Sequence, residues 1–371
     1  MTIYFTIKIA DVLAYFETVA PFSYQENYDN AGLLTGDKDW ECAGVLCTLD
    51  ATEDVIHEAI AKNCNLIVAH HPIIFSGLKK INGKNYVERA VILAIKNDIA
   101  ILAIHTNLDN VIEGVNGQIA DRLGLINRTI LSPRGASLKK LFTFVPVDHI
   151  ENVRSAIFNA GAGNIGNYSE CSFSVEGLGT FKGNENTNPF VGKHGQRHYE
   201  KELKLEIIFP SHLQASVLRA LKAAHPYEEV AFDVIEISNP NPSTGSGVLG
   251  QLSQSMQEDL FLDFVKRQFG LKLLRHTRLT GKPVKTIALC GGAGSFLISK
   301  ALGENADAYL TADIKYHEFF DADGRMLICD LGHYESEQFT TDLLADILRR
   351  NFPTFAVLKS ETQTNPVHYY F

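Results

Sequence analysis

An α/β fold is what this sequence predicts. Short, continuous apolar runs alternate with stretches of helical period, and the alternation occurs twice, on either side of a central segment with another rhythm. Unbroken apolar strands, as opposed to strands that alternate with polar residues, belong to parallel sheets covered on both faces. The two flanking segments therefore read as similar, doubly wound α/β halves.

The first half, residues 1–130, carries VLCTLD, TEDVIHEAIAKN, NLIVAHH, VERAVILAIKN, IAILAIHTNLD and NGQIADRLGL, which is strand, helix, strand, helix, strand, helix. Thr52 ahead of Glu53 and Asp54 marks a helix start, because a hydroxyl caps free N–H groups and carboxylates suit the positive end of the dipole. Residues 138–238 read as LFTFVPV, a helix VRSAIFNA, a glycine-rich stretch, ELKLEIIFP, a helix SHLQASVLRALKAA and EVAFDVIEI. A strand–helix–strand unit given twice predicts a ferredoxin-like α+β insert domain. NPNPSTGSG, residues 239–247, is the clearest linker. The second half, residues 247–371, resumes the first rhythm with TIALCGG, SFLISKALG, DAYLTAD, YHEFFDA, MLICDLG and SEQFTTDLLADILRRN.

Composition narrows the function classes. A chain of 371 residues with 45% hydrophobic content can bury more than one core. A net charge of -9 and a pI near 5.8 argue against non-specific binding to nucleic acid or anionic lipid, both of which need a basic face. The opening MTIYFTIKIADVL lacks the charged region and cleavage site of a secretory leader, and no apolar run reaches the length of a membrane span, so a cytoplasmic protein is expected. Cys42, Cys47, Cys64, Cys171, Cys290 and Cys329 are scattered without a C-x-x-C pair, which fits free thiols.

In a parallel sheet, functional groups gather beyond the carboxyl ends of the strands. His70 and His71 lie there, as does Asp109, preceded by His105 and Asn107. In the second half Asp330, His333 and Glu337 occupy the corresponding place, and Asp313, Lys315 and His317 follow DAYLTAD. A helix beginning near His333 would set Glu337 on the same face, four residues on. His70, His71, Asp109, His333 and Glu337 could thus converge. Pro72 restricts His71 to extended geometry, so each imidazole of the pair could serve a different ion. Three imidazoles and two carboxylates exceed one tetrahedral site and suit two ions sharing a carboxylate, for which Glu337 is the choice.

Blander readings stand beside this one. A lone histidine at a strand end is more often a hydrogen-bonded surface or core residue, and His105 or His317 alone would carry little; the weight lies in the five together. Asp330 reads as the cap of a turn. GGAGS, residues 291–295, lacks the full dinucleotide pattern and a P-loop lysine, so a tight turn is expected. GLGTFKGNENTNPFVG in the insert reads as a loop, not a nucleotide cradle. No nucleophile elbow or reactive-cysteine signature is present.

YDNAGLLTG at 28–36, AHHP at 69–72, HTNLD at 105–109, TADIKYH at 311–317 and GHYESE at 332–337 together resemble the NIF-three-like proteins, known as GTP cyclohydrolase I type 2 homologues. The resemblance runs through both halves in order. It implies one core with a dinuclear divalent-metal site whose ligands map onto His70, His71, Asp109, His333 and Glu337. It also implies a toroidal homohexamer and, in long members, a PII-like or CutA-like insert that caps the ring.

The converging ligands point to a metal-dependent hydrolase, and the resemblance implies a candidate GTP cyclohydrolase, opening the guanine imidazole ring with release of formate. His105, Lys315 and His317 are the candidates for proton transfer or for holding an anionic substrate. The alternatives are a non-catalytic metal-binding or regulatory ring, and a metal-dependent phosphoesterase. Mixed imidazole and carboxylate ligands suit zinc, iron, manganese, cobalt or nickel.

Overall fold

A computed structural model describes residues 6–370; the first residues of the leader reading, MTIYF, lie outside the described residues. The chain divides into two compact units, residues 134–242 and the remainder on either side.

Before the insert, the core unit contributes α1 (Ile9–Val19), β1 (Gly32–Thr35), β2 (Val45–Asp50), α2 (Glu53–Ala61), β3 (Leu66–His71), α3 (Tyr86–Lys96), β4 (Ala100–Ala103), the one-turn α4 (Thr106–Asp109), α5 (Val115–Arg122) and β5 (Ile126–Arg134). The insert contributes β6 (Leu138–Pro146), α6 (Ile150–Asn159), β7 (Phe173–Phe181), β8 (His198–Pro210), α7 (Gln214–Ala224) and β9 (Phe232–Ile237). The chain then returns through β10 (Asn241–Met256), α8 (Glu258–Phe269), β11 (Arg275–His276), β12 (Val284–Ala293), α9 (Ile298–Gly303), β13 (Ala308–Ala312), β14 (Leu327–Asp330), α10 (His333–Glu337), α11 (Thr340–Asn351) and β15 (Val357–Lys359).

Local chemistry sets the helix ends. The Thr52 hydroxyl accepts from the Val55 N–H at 3.3 Å, and the Asn85 carbonyl does the same for Glu88 at 2.9 Å, so α2 and α3 start on filled caps. Gly270, at φ 65°, closes α8 in the left-handed conformation.

The core unit is mixed α/β. Its first sheet runs β1-β4-β3-β2-β15 and its second β11-β14-β13-β12-β10-β5. The strands expected to be parallel are so: β4, β3 and β2 in one sheet, β14, β13 and β12 in the other. The edges depart from two self-contained halves. β15, the last strand of the chain, pairs with β2 in the first sheet through Val357 and Val45, whereas β5, from the first half, belongs to the second sheet. β1, β10 and β11 are antiparallel to their neighbours.

The inner faces of the two sheets share one core. Val45, Leu66, Val68 and Leu102 from the first meet Ile287, Leu289, Leu310 and Leu327 from the second, with Phe16, Ile119, Phe261 and Leu344 of α1, α5, α8 and α11 packed among them. The outer face of the first sheet is covered by Val55, Ile56, Ala90 and Ala94 of α2 and α3, and that of the second by Ile298 and Ala301 of α9. With both faces covered, the central parallel strands must be apolar throughout, which is what VLCTLD, NLIVAHH and IAILA show.

Two expected elements differ. The stretch read as a linker does hold the boundary between the two units, at Pro242 and Ser243, but as the beginning of β10: the Gly245 N–H donates to the Asn110 carbonyl at 2.9 Å, and Thr244 forms an isolated bridge with Val111. Its glycines are bends at φ 146° and 67° within a strand, not a flexible joint. YHEFFDA forms a 3-10 turn, wound tight where the Glu318 carboxylate accepts from the Lys315 N–H at 2.7 Å.

In the insert, the strand order is β7-β8-β6-β9 with every pair antiparallel. Val153, Ile157, Val217 and Leu221 of α6 and α7 pack on one face, against Leu141, Val145, Leu205, Ile207 and Phe209. Among the described residues, no helix of either unit is long and apolar enough to cross a membrane.

Candidate metal centre

His70 and His71 close β3, where the strand leaves the sheet. Successive residues of a strand face opposite ways, yet here both rings come together, with centroids 4.9 Å apart. Each ring is fixed through Nδ1. His70 donates from it to the Ile104 carbonyl at 2.8 Å, and His71 to the Asp50 carboxylate at 2.8 Å. On the other sheet, α10 begins with His333, whose Nδ1 donates to Asp313 at 2.7 Å, and ends with Glu337. All three imidazoles therefore offer Nε2 to one centre. This is how metal-binding histidines are usually held, with the outer nitrogen bonded to a carbonyl or carboxylate.

Glu337 occupies that centre. Its Oε2 lies 3.0 Å from His71 Nε2 and 3.2 Å from His333 Nε2, and its Oε1 lies 3.9 Å from His70 Nε2. His71 and His333 bring their Nε2 atoms to 3.4 Å. Asp109, at the end of α4, brings Oδ1 to 3.7 Å from His70 Nε2. Both of these last atoms are buried, and neither has a hydrogen-bond partner among the described residues. A buried lone pair facing a buried carboxylate oxygen across that gap suits a cation between them. The donor set fits a divalent ion: two sets of ligand atoms, His70 with His71 and His105, and His71 with His333 and Glu337, cluster tightly enough to hold one.

The electrostatics agree. Burial holds His70 below the ordinary imidazole range, keeping Nε2 a lone pair. Burial opposes a charged His71, but Asp50 and Glu337 outweigh it and lift it to about 10. His333 is lifted to about 9, Glu337 and Asp313 overcoming its burial. Burial, with Glu337 beside it, raises Asp109 well above the carboxylate range. Burial would raise Glu337 too, yet the imidazoles of His333, His70 and His71 hold it well below. The carboxylates thus draw positive charge to the centre, carried by protonated His71 and His333, and a bound cation would displace those protons.

The expected turn at GGAGS has a further purpose. Gly292, one residue before the end of β12, has φ 60°, and a Cβ there would lie 2.4 Å from Glu337 Oε1. The Gly292 N–H donates to Ser336 Oγ at 3.0 Å, and the Gly291 N–H to Asn116 at 2.9 Å. The glycines bring the backbone against Glu337 and hold α10 in register.

Of the residues expected to move protons, His105 is at the centre and two others stand apart. His105 caps α4 and donates from Nδ1 to Asp29 at 2.7 Å, while Asp29 also accepts from the Thr106 N–H at 3.1 Å and from its hydroxyl. Burial would raise Asp29, but His105 and Thr106 hold it at about 2, so it stays ionised. Lys315 and His317 lie on the exposed 3-10 turn, where His317 packs on Tyr316 and Phe320; neither is among the residues lining the two cavities at the centre. Asp330 is a structural residue, accepting from Ile314 and Gly332 N–H groups at 3.0 Å and pairing with Arg275.

One of these cavities, of about 440 Å3, is lined by His71, His105, Asp109, Glu337, Cys290 and the exposed rings of Tyr28, Phe75 and Phe296. The other, of about 470 Å3, meets it at Asp50, His71 and His333 and is closed by Asn365, Pro366, Val367 and Tyr369. Burial, with Asp109 and Glu337, pushes the Cys290 thiol up, so it is no nucleophile at neutral pH. Sequence reasoning missed Asp29, Asp50 and the C-terminal segment. Asp29 stands inside YDNAGLLTG and Asp50 ends VLCTLD at a strand terminus, which was a usable signal; the segment 360–370 carries none.

Fold and site define a mixed α/β protein with a buried histidine–carboxylate cluster of metal-binding composition. The chain belongs to the Duf34/NIF3 (NGG1p interacting factor 3) family, a model of which matches residues 7–366. It is 35% identical over 373 residues to a Staphylococcus epidermidis protein and 38% identical over 363 residues to one of Bacillus subtilis, both named GTP cyclohydrolase 1 type 2 homolog. Those alignments cover 98% and 96% of this chain and 100% and 96% of the relatives. Among solved structures, a Bacillus cereus protein related to NIF3 superposes with TM-score 0.87 at 36% identity, covering 99% of this chain and 100% of the other. A Staphylococcus aureus protein gives TM-score 0.77 at 30% identity, covering 98% and 99%.

Proposed function

We propose that this protein is a dinuclear metal-dependent hydrolase whose candidate substrate is GTP, opened at the guanine imidazole ring with release of formate. The observation that carries the reading is the convergence of three Nε2 atoms on Glu337, with His70 Nε2 and Asp109 Oδ1 facing each other without a hydrogen-bond partner among the described residues. His70, His71, Asp109, His333 and Glu337 would hold two divalent ions of zinc, iron, manganese, cobalt or nickel. Glu337 presents one oxygen to His70 and the other to His71 and His333, the disposition of a bridging carboxylate. When bound, such ions lower the pKa of water towards neutrality and polarise the bond under attack.

The chain's own residues do the rest. His105, its Nδ1 tied to an ionised Asp29, presents Nε2 to the cavity and can take or return a proton there. Tyr28, Phe75 and Phe296 offer ring faces at the rim on which a flat base can stack. The names of the relatives support GTP as the compound to test first. The same reading makes the protein a homohexameric ring with its ferredoxin-like, PII/CutA-like insert as cap. The strand order of the insert, with both helices on one face, supports the ferredoxin-like assignment; the mass of the particle in solution tests the ring.

The decisive experiment is formate release from GTP by protein loaded with each metal in turn, beside Asp109→Asn. Metal-dependent formate that vanishes in the variant is expected. Formate that survives chelation would sink the mechanism, and no formate from fully loaded protein would move the assignment to a non-catalytic metal-binding ring or a phosphoesterase.

A further inference from the structure

The insert holds a cavity of its own, of about 670 Å3, lined wholly by residues of that unit. The stretch expected to be a loop starts as strand: GLGTF is the end of β7, and the residues after it lead to Pro189 and Phe190 at the cavity wall. Gly177 and Gly179 leave the floor bare of side chains, and Phe144, Phe181, Phe190 and Tyr227 form the sides. The rings of Phe181 and Phe190 stand 6.0 and 6.3 Å from that of Tyr227. The Asn188 N–H donates to Glu228 at 2.7 Å, which ties the segment carrying Phe190 to the segment carrying Tyr227.

At the base is Glu202, a carboxylate only 9% exposed. Its Oε1 accepts from the Tyr227 hydroxyl at 2.9 Å. Burial and the neighbouring carboxylate push the Tyr227 phenol up, so it keeps the proton it donates. The other oxygen, Oε2, lies against Gly179, where a Cβ would come within 2.0 Å of it. A carboxylate this little exposed favours a cation or an N–H donor beside it.

The charge balance decides which ligand. Glu176, Glu202, Glu228 and Glu229 line the cavity against Lys182 and Lys204. The Lys204 ammonium is already paired with Glu206 at 2.9 Å and stands 4.5 Å from the centre of the Phe142 ring. Phosphate or another anion would enter a field of its own sign. Aromatic faces around a carboxylate favour the opposite, an organic cation held by ring quadrupoles and one ion pair.

We propose that this cavity binds a small organic cation, an alkylammonium or guanidinium compound, with its charge on Glu202 and its carbon body against Phe181, Phe190 and Tyr227. The same chemistry is offered by a free amine and by a basic side chain of another protein. Titration calorimetry on the full chain separates them, using spermidine and agmatine as free cations and a capped Gly-Arg-Gly peptide as the side-chain probe. Binding by the free cations assigns a metabolite site; binding by the peptide alone assigns a docking site for a basic side chain. In either case Glu202→Gln weakens binding about thirtyfold, since one partner of a buried charge pair is lost. Phe190→Ala, which alters an exposed ring and spares the core, weakens it about tenfold. The proposal is overturned if no cation binds at millimolar concentration, if folded Glu202→Gln binds as tightly as the parent, or if inorganic phosphate or ATP binds in their place.

Discussion

Gly292 gives the sharpest test of how the centre is built. Replacing it with alanine does two things. At φ 60° the left-handed backbone costs a non-glycine residue about 1–2 kcal/mol. The new Cβ would also lie 2.4 Å from Glu337 Oε1, and must push that oxygen back by about 0.6 Å to reach even the closest separation carbon and oxygen tolerate. Metal ligands tolerate departures of only about 0.2 Å, so such a displacement would spoil Glu337 as a ligand. Gly270→Ala separates the two effects, because Gly270 has φ 65° and nothing within 4 Å of the added Cβ. Both variants should lose about 1–2 kcal/mol in denaturant unfolding. Gly292→Ala alone should bind divalent metal roughly 10–100-fold more weakly, measured by competition with a coloured chelator and by metal content after dialysis. Unchanged metal affinity in folded Gly292→Ala, or an equal loss in Gly270→Ala, would refute the reasoning.

Asp29→Asn should leave metal content unchanged and lower turnover roughly 100-fold or more by freeing His105 to turn; steady-state kinetics beside metal analysis checks both halves of the statement. Glu58 accepts from Ser360, Thr362 and the Glu361 N–H and pairs with Lys62; burial would raise it, but these partners hold it at about 2. Since its folded pKa lies below the ordinary 4.5, its contribution to stability is present above pH 4.5, shrinks as pH falls and is gone by about pH 2. The denaturation midpoints of the parent and Glu58→Gln should therefore converge as pH falls through that window; a gap that persists down it would contradict the assignment. Phe261→Ala, at a fully buried ring of α8, should cost about 3–5 kcal/mol, and Leu260→Ala, at its exposed neighbour, less than about 0.5 kcal/mol, both read by equilibrium unfolding.

Much of the fold was legible because burial on both faces leaves an unbroken apolar signature. VLCTLD and NLIVAHH could hardly be anything else. The edges were not legible: β15 has three residues, and β5, INRTILSPR, is largely polar, so neither announces which sheet it joins. NPNPSTGSG holds the boundary its composition suggested, but as strand, because turn-forming residues also make bent strands when hydrogen bonds to Asn110 hold them. At the centre, His333 and Glu337 were legible from helical spacing alone. Asp29 and Asp50 were not, since a carboxylate that bonds an imidazole from 76 or 21 residues away leaves no local pattern.

The crossing of β5 and β15 between sheets fixes when, during synthesis, the protein can become competent. His71 leaves the ribosome 266 residues before Glu337, an interval on the order of tens of seconds. Throughout it, β2 lacks the neighbour that will cover its side, and the histidine pair lacks its central carboxylate. Both deficits are repaired by the same last stretch of chain. A product truncated before α10 carries an open strand edge, a mark for chaperones and proteases, and lacks His333 and Glu337. The cluster of His71, His333 and Glu337 is therefore assembled only late in synthesis.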